Sequence, residues 1–257
     1  MLYYFSGTGN SLRVACHLAE ALGDRLSPMT SPQLTGCRDE SESSVGLVFP
    51  VYAWGIPGPV ETFVREHLSS VLKAQDGTYL YAVMTCGDDV GYADRVLDDV
   101  MRRSCGRGLD AAFSVQMPNT YVCLPGFDVD SDEVMSAKLS GEAGAVRKIA
   151  SLVASRASVR SLVRGSFPRI KTYMLRPLFN HFLLTAKYFV VDASRCTSCG
   201  KCVRSCPVAN IEMSGGNPVW QSHCAGCLAC YHACPHHAIN FGRMTQYKGQ
   251  YFQSTSK

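Results

Sequence analysis

Short apolar runs alternate with amphipathic stretches through the first 156 residues of the chain. The apolar runs cover residues 2–5, 45–51, 78–86 and 111–117, and their continuity is typical of strands buried on both faces of a parallel sheet. Stretches with helical periodicity begin near residues 10, 59, 90 and 146. The alternation predicts an α/β domain with a doubly wound parallel sheet. The first helix is expected to bury Leu12, Ala15, Cys16, Ala19 and Leu22.

The pattern changes after residue 156. Residues 157–189 are basic and aromatic and are broken by Pro168 and Pro177, so they are predicted to form a connector. Glycine and cysteine then become frequent, which predicts a small second domain over residues 190–245 and a tail over 246–257. The late apolar stretch 174–191 is interrupted by charged and polar side chains, and no transmembrane segment is expected.

Charge is distributed unevenly along the 257 residues, whose formal net charge is +4. Residues 1–140 are net acidic, whereas residues 141–190 carry many cations and Glu142 as their only acid. The cations are spread without a recognised nucleic-acid module, so a solvated face or docking onto the acidic first domain is expected, and a nucleic-acid partner is not. No cleavable leader pattern precedes the first strand, which predicts a cytoplasmic protein.

Thirteen cysteines fall into two classes. Eight lie between residues 196 and 234 in two regular runs, which indicates ligands. The others stand singly, which predicts reduced thiols in a reducing compartment. These single cysteines are Cys16, Cys37, Cys86, Cys105 and Cys123.

The loop after the first strand is rich in glycine and hydroxyl groups. It lacks the Gly-Lys-Ser/Thr of nucleoside triphosphate loops, and Leu12 breaks the dinucleotide pattern Gly-x-Gly-x-x-Gly. Backbone N–H groups, hydroxyls and a helix N-terminus can hold the phosphate of a mononucleotide without a cation. A glycine turn with helix-capping hydroxyls is the alternative. The candidate phosphate-binding residues are Ser6, Gly7, Thr8, Gly9, Asn10 and Ser11.

Two later loops follow the second and third apolar runs. Ligands of a doubly wound sheet bind beyond the carboxyl ends of its strands, where aromatic side chains stack on planar rings and glycine allows close backbone approach. Surface turns with unrelated aromatic residues are the alternative. The candidate ring contacts are Pro50, Val51, Tyr52, Ala53, Trp54 and Gly55, followed by Cys86, Gly87, Gly91 and Tyr92. The segment 118–121 faces the same end of the sheet. Because the loops 50–57 and 86–93 are short, an exposed ring edge is expected, and only residues 118–132 could build a lid.

Residues 1–156 resemble a flavodoxin domain. The flavodoxin phosphate loop Ser/Thr-x-Thr-Gly-x-Ser/Thr is matched by Ser6, Thr8, Gly9 and Ser11. This resemblance implies that the cofactor is FMN.

The two cysteine runs, 196–207 and 224–235, are copies of C-x2-C-x2-C-x3-C-P. Zinc sites and disulfide frameworks are alternatives that this spacing does not favour. The segment closely resembles bacterial ferredoxins with two 4Fe–4S clusters, in which the fourth cysteine of each run binds the other cluster. The resemblance implies one cluster on Cys196, Cys199, Cys202 and Cys234, and a second on Cys224, Cys227, Cys230 and Cys206.

The whole chain resembles flavodoxin–ferredoxin fusion proteins of anaerobic bacteria and archaea. The expected fold is a flavodoxin-like doubly wound parallel sheet followed by a small α+β two-cluster ferredoxin domain. The resemblance implies an electron carrier between redox partner proteins, a low-potential donor and an acceptor reductase, that couples one- and two-electron steps. The alternative is a self-contained flavin reductase of a small substrate, fed by its own clusters. The sequence leaves a homodimer open.

Overall fold

The computed structural model describes residues 1–31, 44–72 and 77–253. Its larger part is a six-stranded sheet in the order β2-β1-β3-β4-β5-β6, with every neighbouring pair parallel. The first five strands follow the order 2-1-3-4-5 that defines the flavodoxin-like doubly wound fold. The predicted α/β class is confirmed. The strands are β1 (Leu2–Tyr4), β2 (Leu26–Pro28), β3 (Ser44–Pro50), β4 (Tyr79–Cys86), β5 (Ala111–Gln116) and β6 (Arg160–Ser161).

Helices cover both faces of this sheet. On one face lie α1 (Asn10–Leu22) and α5 (Asp132–Ala154). On the other face lie α2 (Gly58–Phe63), α3 (Ser69–Leu72) and α4 (Ala93–Cys105). A π-helical turn (Val64–Leu68) joins α2 to α3. The apolar side chains of strands β1 to β5 and of these helices fill the two layers between them.

The buried face of α1 differs from the expected one. Val14, Ala15 and Leu18 are fully buried, whereas Cys16 is exposed. Helix α1 starts at Asn10 and turns Ser11 toward the sheet, where its hydroxyl lies 2.7 Å from the hydroxyl of Thr85 on β4. With Ser11 facing the sheet, the buried positions of α1 are shifted by one residue from those that the hydrophobic pattern predicted. Cys37 lies outside the described residues.

The segment expected to be a connector contains β6 and a bent helix. The bent helix, called the connector helix below, comprises α6 (Pro168–Ile170), a π-helical turn (Lys171–Leu175) and α7 (Arg176–Phe182). Arg164 forms an ion pair with Asp94 at 2.9 Å, and Lys171 one with Asp89 at 2.6 Å. These pairs dock the basic segment on acidic residues of the first domain.

The second part of the chain is small and built from two antiparallel strand pairs. β7 (Phe189–Val191) pairs with β10 (Ile239–Phe241), and β8 (Ile211–Ser214) with β9 (Asn217–Trp220). Two short helices, α8 (Lys201–Ser205) and α9 (Ala229–His232), lie between them. Within the ranges described above, no helix is both long and apolar enough to cross a membrane.

Replacement of Leu18 by Ala tests the packing of α1. Leu18 has no exposed surface and packs with residues of the sheet and of α5. We expect L18A to lower the free energy of unfolding by about 2–5 kcal/mol, because the deletion leaves a cavity. Urea unfolding followed by circular dichroism measures this. The exposed Glu20→Ala on the same helix is the control, and equal stability of the two variants would contradict the packing.

Candidate cofactor sites

A cavity of about 410 Å³ lies at the carboxyl ends of β1, β3 and β4. This is the edge at which doubly wound sheets bind their ligands. Three groups of predicted residues line it: Ser6, Gly7, Thr8, Asn10 and Ser11 of the first loop; Pro50, Val51, Tyr52, Ala53 and Trp54 after β3; and Cys86 and Gly87 after β4.

The first loop offers one hydroxyl that no protein group engages. Ser6 Oγ is buried and has no hydrogen-bond partner among the described residues. Asn10, by contrast, donates from Nδ2 to the carbonyl oxygen of Pro118 at 2.9 Å, which ties the loop to the segment after β5. Because α1 begins at Asn10, its N-terminal N–H groups lie at the cavity, where they favour an anion.

The C-terminal residues 250–253, called the strap below, cross over this loop. The N–H of Gln253 donates to the carbonyl oxygen of Thr8 at 2.9 Å, and the Tyr251 hydroxyl donates to Asn10 Oδ1 at 3.1 Å. Gly9 has φ of 98°, and a Cβ there would collide with the carbonyl oxygen of Gln253. Gly9 therefore does not line the cavity; it makes room for the strap.

His232 holds the other end of the strap. The backbone N–H of Tyr251 donates to Nδ1 of His232 at 3.2 Å, so Nε2 carries the proton and donates to the Thr120 carbonyl oxygen at 2.7 Å. Burial lowers the pKa of His232 to about 4, which keeps the imidazole neutral near pH 7. One histidine thus joins the strap to the segment after β5.

Three predicted ring contacts pack against the connector helix and do not line the cavity. The N–H of Tyr92 donates to Thr172 Oγ1 at 2.9 Å, and the Tyr92 ring is covered by two guanidinium groups. A Cβ at Gly91 would meet the Thr172 hydroxyl, and one at Gly55 would collide with the Arg176 side chain. The glycines permit close approach, as expected, but the approaching group is protein.

The cavity is covered by aromatic and aliphatic side chains. The Tyr121 ring centre lies 5.7 Å from that of Phe127 and 5.2 Å from that of Phe179 on α7. The Tyr121 hydroxyl is buried without a hydrogen-bond partner among the described residues, and burial raises its pKa. The covering residues are Tyr121, Leu124, Phe127, Phe179 and Leu184.

The eight clustered cysteines gather around two smaller cavities. One, the inner cysteine group, contains Cys206, Cys224, Cys227 and Cys230. The other, the outer cysteine group, contains Cys196, Cys199, Cys202 and Cys234. Each group takes three cysteines from one run and the fourth from the other, which is the grouping that the ferredoxin resemblance implies.

The two groups differ in their exposure. Cys199 of the outer group is exposed, and the backbone N–H of Lys201 lowers its pKa. In the inner group, burial raises the pKa of the free Cys227 thiol to about 12 and that of Cys230 well above its usual value. A thiolate at the inner group therefore needs a bound cation to be stable.

Backbone N–H groups point at the sulfur atoms of both groups. Asn210 donates to Cys206 Sγ at 3.2 Å, Gly226 to Cys224 Sγ at 3.4 Å and Ala238 to Cys234 Sγ at 3.3 Å. Such hydrogen bonds stabilise thiolate ligands. Among the described residues, no three His, Cys, Asp or Glu side chains are arranged to hold a single metal ion; a four-iron cluster differs because each thiolate meets its own iron.

The inner group adjoins the large cavity. Cys227 and Leu228 line both the inner cysteine cavity and the large cavity, and Gly226 lines the large cavity. Tyr52 lies at this junction, where burial and the nearby Cys227 and Cys224 thiols raise its pKa well above the usual value.

Sequence reasoning missed the cavity walls that come from distant parts of the chain. These are Lys171 and Phe179 of the connector helix, Leu184 and the 226–228 loop. The strap, which crosses the first loop, was missed as well. The covering residues Tyr121, Leu124 and Phe127 lie within 118–132, the segment that the sequence singled out as able to build a lid. Thr85, Asp88 and Asp89 also line the cavity and lie beside predicted residues.

Residues 188–251 match the 4Fe-4S dicluster domain family. Among solved structures, the chain is similar to the flavodoxin of Streptococcus pneumoniae TIGR4, with 16% identity over 61% of this chain and 97% of that chain and a TM-score of 0.38. It is also similar to a protein described as a flavoprotein from Bacteroides uniformis, with 15% identity over 45% of this chain and 88% of that chain and a TM-score of 0.30.

A search of curated proteins found no significant match. The two structural similarities are too weak to carry an argument, so the fold assignment of the first domain rests on its strand order. The chain joins an α/β domain with the flavodoxin strand order to a 4Fe-4S dicluster domain.

Proposed function

We propose that the chain is an electron-transfer flavoprotein that holds FMN in the large cavity and one 4Fe–4S cluster on each cysteine group. The observation that carries the proposal is that Cys227 lines both the inner cysteine cavity and the large cavity. A cluster bound there would adjoin the flavin with no further protein layer between them. FMN, when bound, exchanges electrons singly or in pairs, and clusters exchange them singly.

The cavity fits FMN in three respects. Its first loop presents the free hydroxyl of Ser6 and the N-terminus of α1 to a phosphate. Its loops after β3 and β4 present aromatic rings and backbone to a planar group. Its cover excludes water from an apolar ring, while the unpartnered Tyr121 hydroxyl supplies a donor.

The outer group is the favoured point of electron uptake. Cys199 is the exposed ligand, whereas none of the four inner cysteines is exposed and Cys227 borders the large cavity. Exposed Lys201 and Arg204 lie on the same run, and exposed Arg195 directly precedes it. Arg204 donates to the carbonyl oxygen of Cys199 at 3.1 Å. This basic rim favours an acidic protein as donor, and high salt should weaken their encounter.

The cover supports a second candidate, a reductase of a small substrate. Tyr121, Phe127 and Phe179 enclose the space in which the flavin ring would lie, as the wall of a substrate pocket does. The two functions differ in the acceptor that reoxidises the reduced protein. A reduced protein that requires a protein acceptor supports the carrier, whereas rapid reoxidation by a small organic acceptor alone supports the reductase.

Ser6→Ala tests the flavin site. The hydroxyl has no protein partner, so its loss should leave the stability of the apoprotein unchanged and weaken FMN binding about tenfold by removing a hydrogen bond to the phosphate. Titration of the apoprotein with FMN, followed by flavin fluorescence, measures the affinity. Ser140→Ala, on the exposed side of α5, is the matched control. A wild-type protein that purifies with FAD, or unchanged affinity in S6A, would refute the assignment.

Cys206→Ser tests cross-ligation. We expect it to perturb the cluster held with Cys224, Cys227 and Cys230, although Cys206 belongs to the other run. Paramagnetic resonance of the reduced protein should show one ordinary 4Fe–4S signal and one altered or three-iron signal, while C16S, at an exposed single cysteine, should show two ordinary signals. Zinc without iron after anaerobic preparation would contradict the cluster assignment altogether.

Cys199→Ser tests the direction of electron flow. Anaerobic stopped-flow mixing with a reduced low-potential ferredoxin should show cluster bleaching before flavin reduction in the wild type. In C199S, whose inner cluster must first be verified by paramagnetic resonance, flavin reduction should slow at least about tenfold because the exposed route is damaged. An unchanged flavin rate would show that electrons bypass the outer group. Rapid flavin reduction by NADH alone, with the clusters lagging, would reverse the proposed path.

A further inference from the structure

The connector helix carries a row of large apolar side chains on the protein surface. Ile170, Met174, Leu178 and Phe182 recur at every fourth position, which places them along one side of the helix, and Phe167 directly precedes it. Phe167 is 72% exposed, Met174 65% and Leu178 58%. Tyr173 and Leu175 at the edges of this row are also exposed. A row of this kind marks an interaction surface.

The opposite face of the helix is fixed to the first domain. The Thr172 hydroxyl donates to the carbonyl oxygen of Trp54 at 3.2 Å, and Arg176 donates to that of Ile56 at 3.4 Å. Phe179 points inward and covers the large cavity. The helix is therefore anchored to the first domain by its opposite face. The apolar row can be buried only by a separate binding partner.

The charges around the apolar row indicate which kind of partner binds it. No aspartate or glutamate occurs between residues 157 and 191. Arg169, next to Ile170, and Lys187, which follows the end of α7, are exposed and form no ion pair among the described residues. Arg164 and Lys171, by contrast, are paired with Asp94 and Asp89. The rim is cationic, which favours an anionic surface.

A second copy of the chain is a poor partner for this face. In a two-fold dimer the same patch meets itself, so the cations of both copies would approach without an acidic residue of this segment to neutralise them.

We propose that the connector helix docks on an anionic lipid bilayer. Its apolar row enters the boundary between headgroups and acyl chains, while Arg169 and Lys187 contact the anionic headgroups, as in helices that lie in a membrane interface. The proposal is independent of the electron-transfer function. Because Phe179 of the same helix covers the large cavity, docking would bring that cavity close to the membrane surface.

Vesicle sedimentation of the full-length protein tests this docking. The wild type should sediment with mixed phosphatidylcholine–phosphatidylglycerol vesicles, weakly with pure phosphatidylcholine, and less at high salt. M174D/L178D should reduce binding at least about tenfold, since two apolar side chains no longer enter the bilayer. R169Q/K187Q should lose the preference for anionic vesicles. Val134→Asp, at an exposed valine on α5, should bind as the wild type does, and circular dichroism verifies that all variants fold.

Several outcomes would overturn the proposal. Absence of binding to the mixed vesicles, or binding unaffected by M174D/L178D, would exclude a bilayer contact through this row. Equal binding to neutral and anionic vesicles would exclude the role of Arg169 and Lys187. A dimer in analytical ultracentrifugation that M174D/L178D dissociates, without vesicle binding, would identify the row as a contact between copies of the chain.

Discussion

The position of the inner cysteine group beside the large cavity depends on the close contact between the loop of Cys227 and the first loop of the α/β domain. A Cβ at Gly7 would lie 2.7 Å from the Cβ of Cys227 and 2.8 Å from the Tyr52 hydroxyl, distances that real atoms do not tolerate. Glycine at position 7 is thus required for the two domains to meet here. Their contact makes the cysteine loop a wall of the large cavity and sets the inner group beside it.

Two further segments reinforce this contact from outside. The strap ties Thr8 and Asn10 of the first loop to His232 at the end of α9, so the cysteine-rich domain helps to fix the loop that would hold the phosphate. The connector helix packs on the loops after β3 and β4 through Thr172 and Arg176. A change in the cysteine-rich domain can therefore reach the cavity through packed backbone and not only through the cofactors.

The sequence was most informative where a function needs residues close together along the chain. The first loop and both cysteine runs are local patterns, so the six candidate residues of the loop and the eight thiols could be assembled without a structure. The strands β2 and β6, of three and two residues, carry too little periodicity to be seen. Gly55, Gly91 and Tyr92 looked like ring contacts, since nothing in their own loops shows that the connector helix occupies that space. Phe179 and Leu184 of the cover, and the strap, come from positions more than 100 residues from the first loop, and only tertiary packing reveals them.

The cover changes how the cavity can exchange electrons. The short loops after β3 and β4 predicted an exposed ring edge, but Tyr121, Phe127 and Phe179 cover this part of the cavity. A direct approach by a partner protein to the cavity would have to displace these aromatic rings and the connector helix that anchors one of them. Cys227, in contrast, already borders the cavity, and the outer group presents Cys199 at the surface. The route through the cysteine groups therefore requires no opening of the cover, whereas a small substrate or a separate acceptor requires the cover to move.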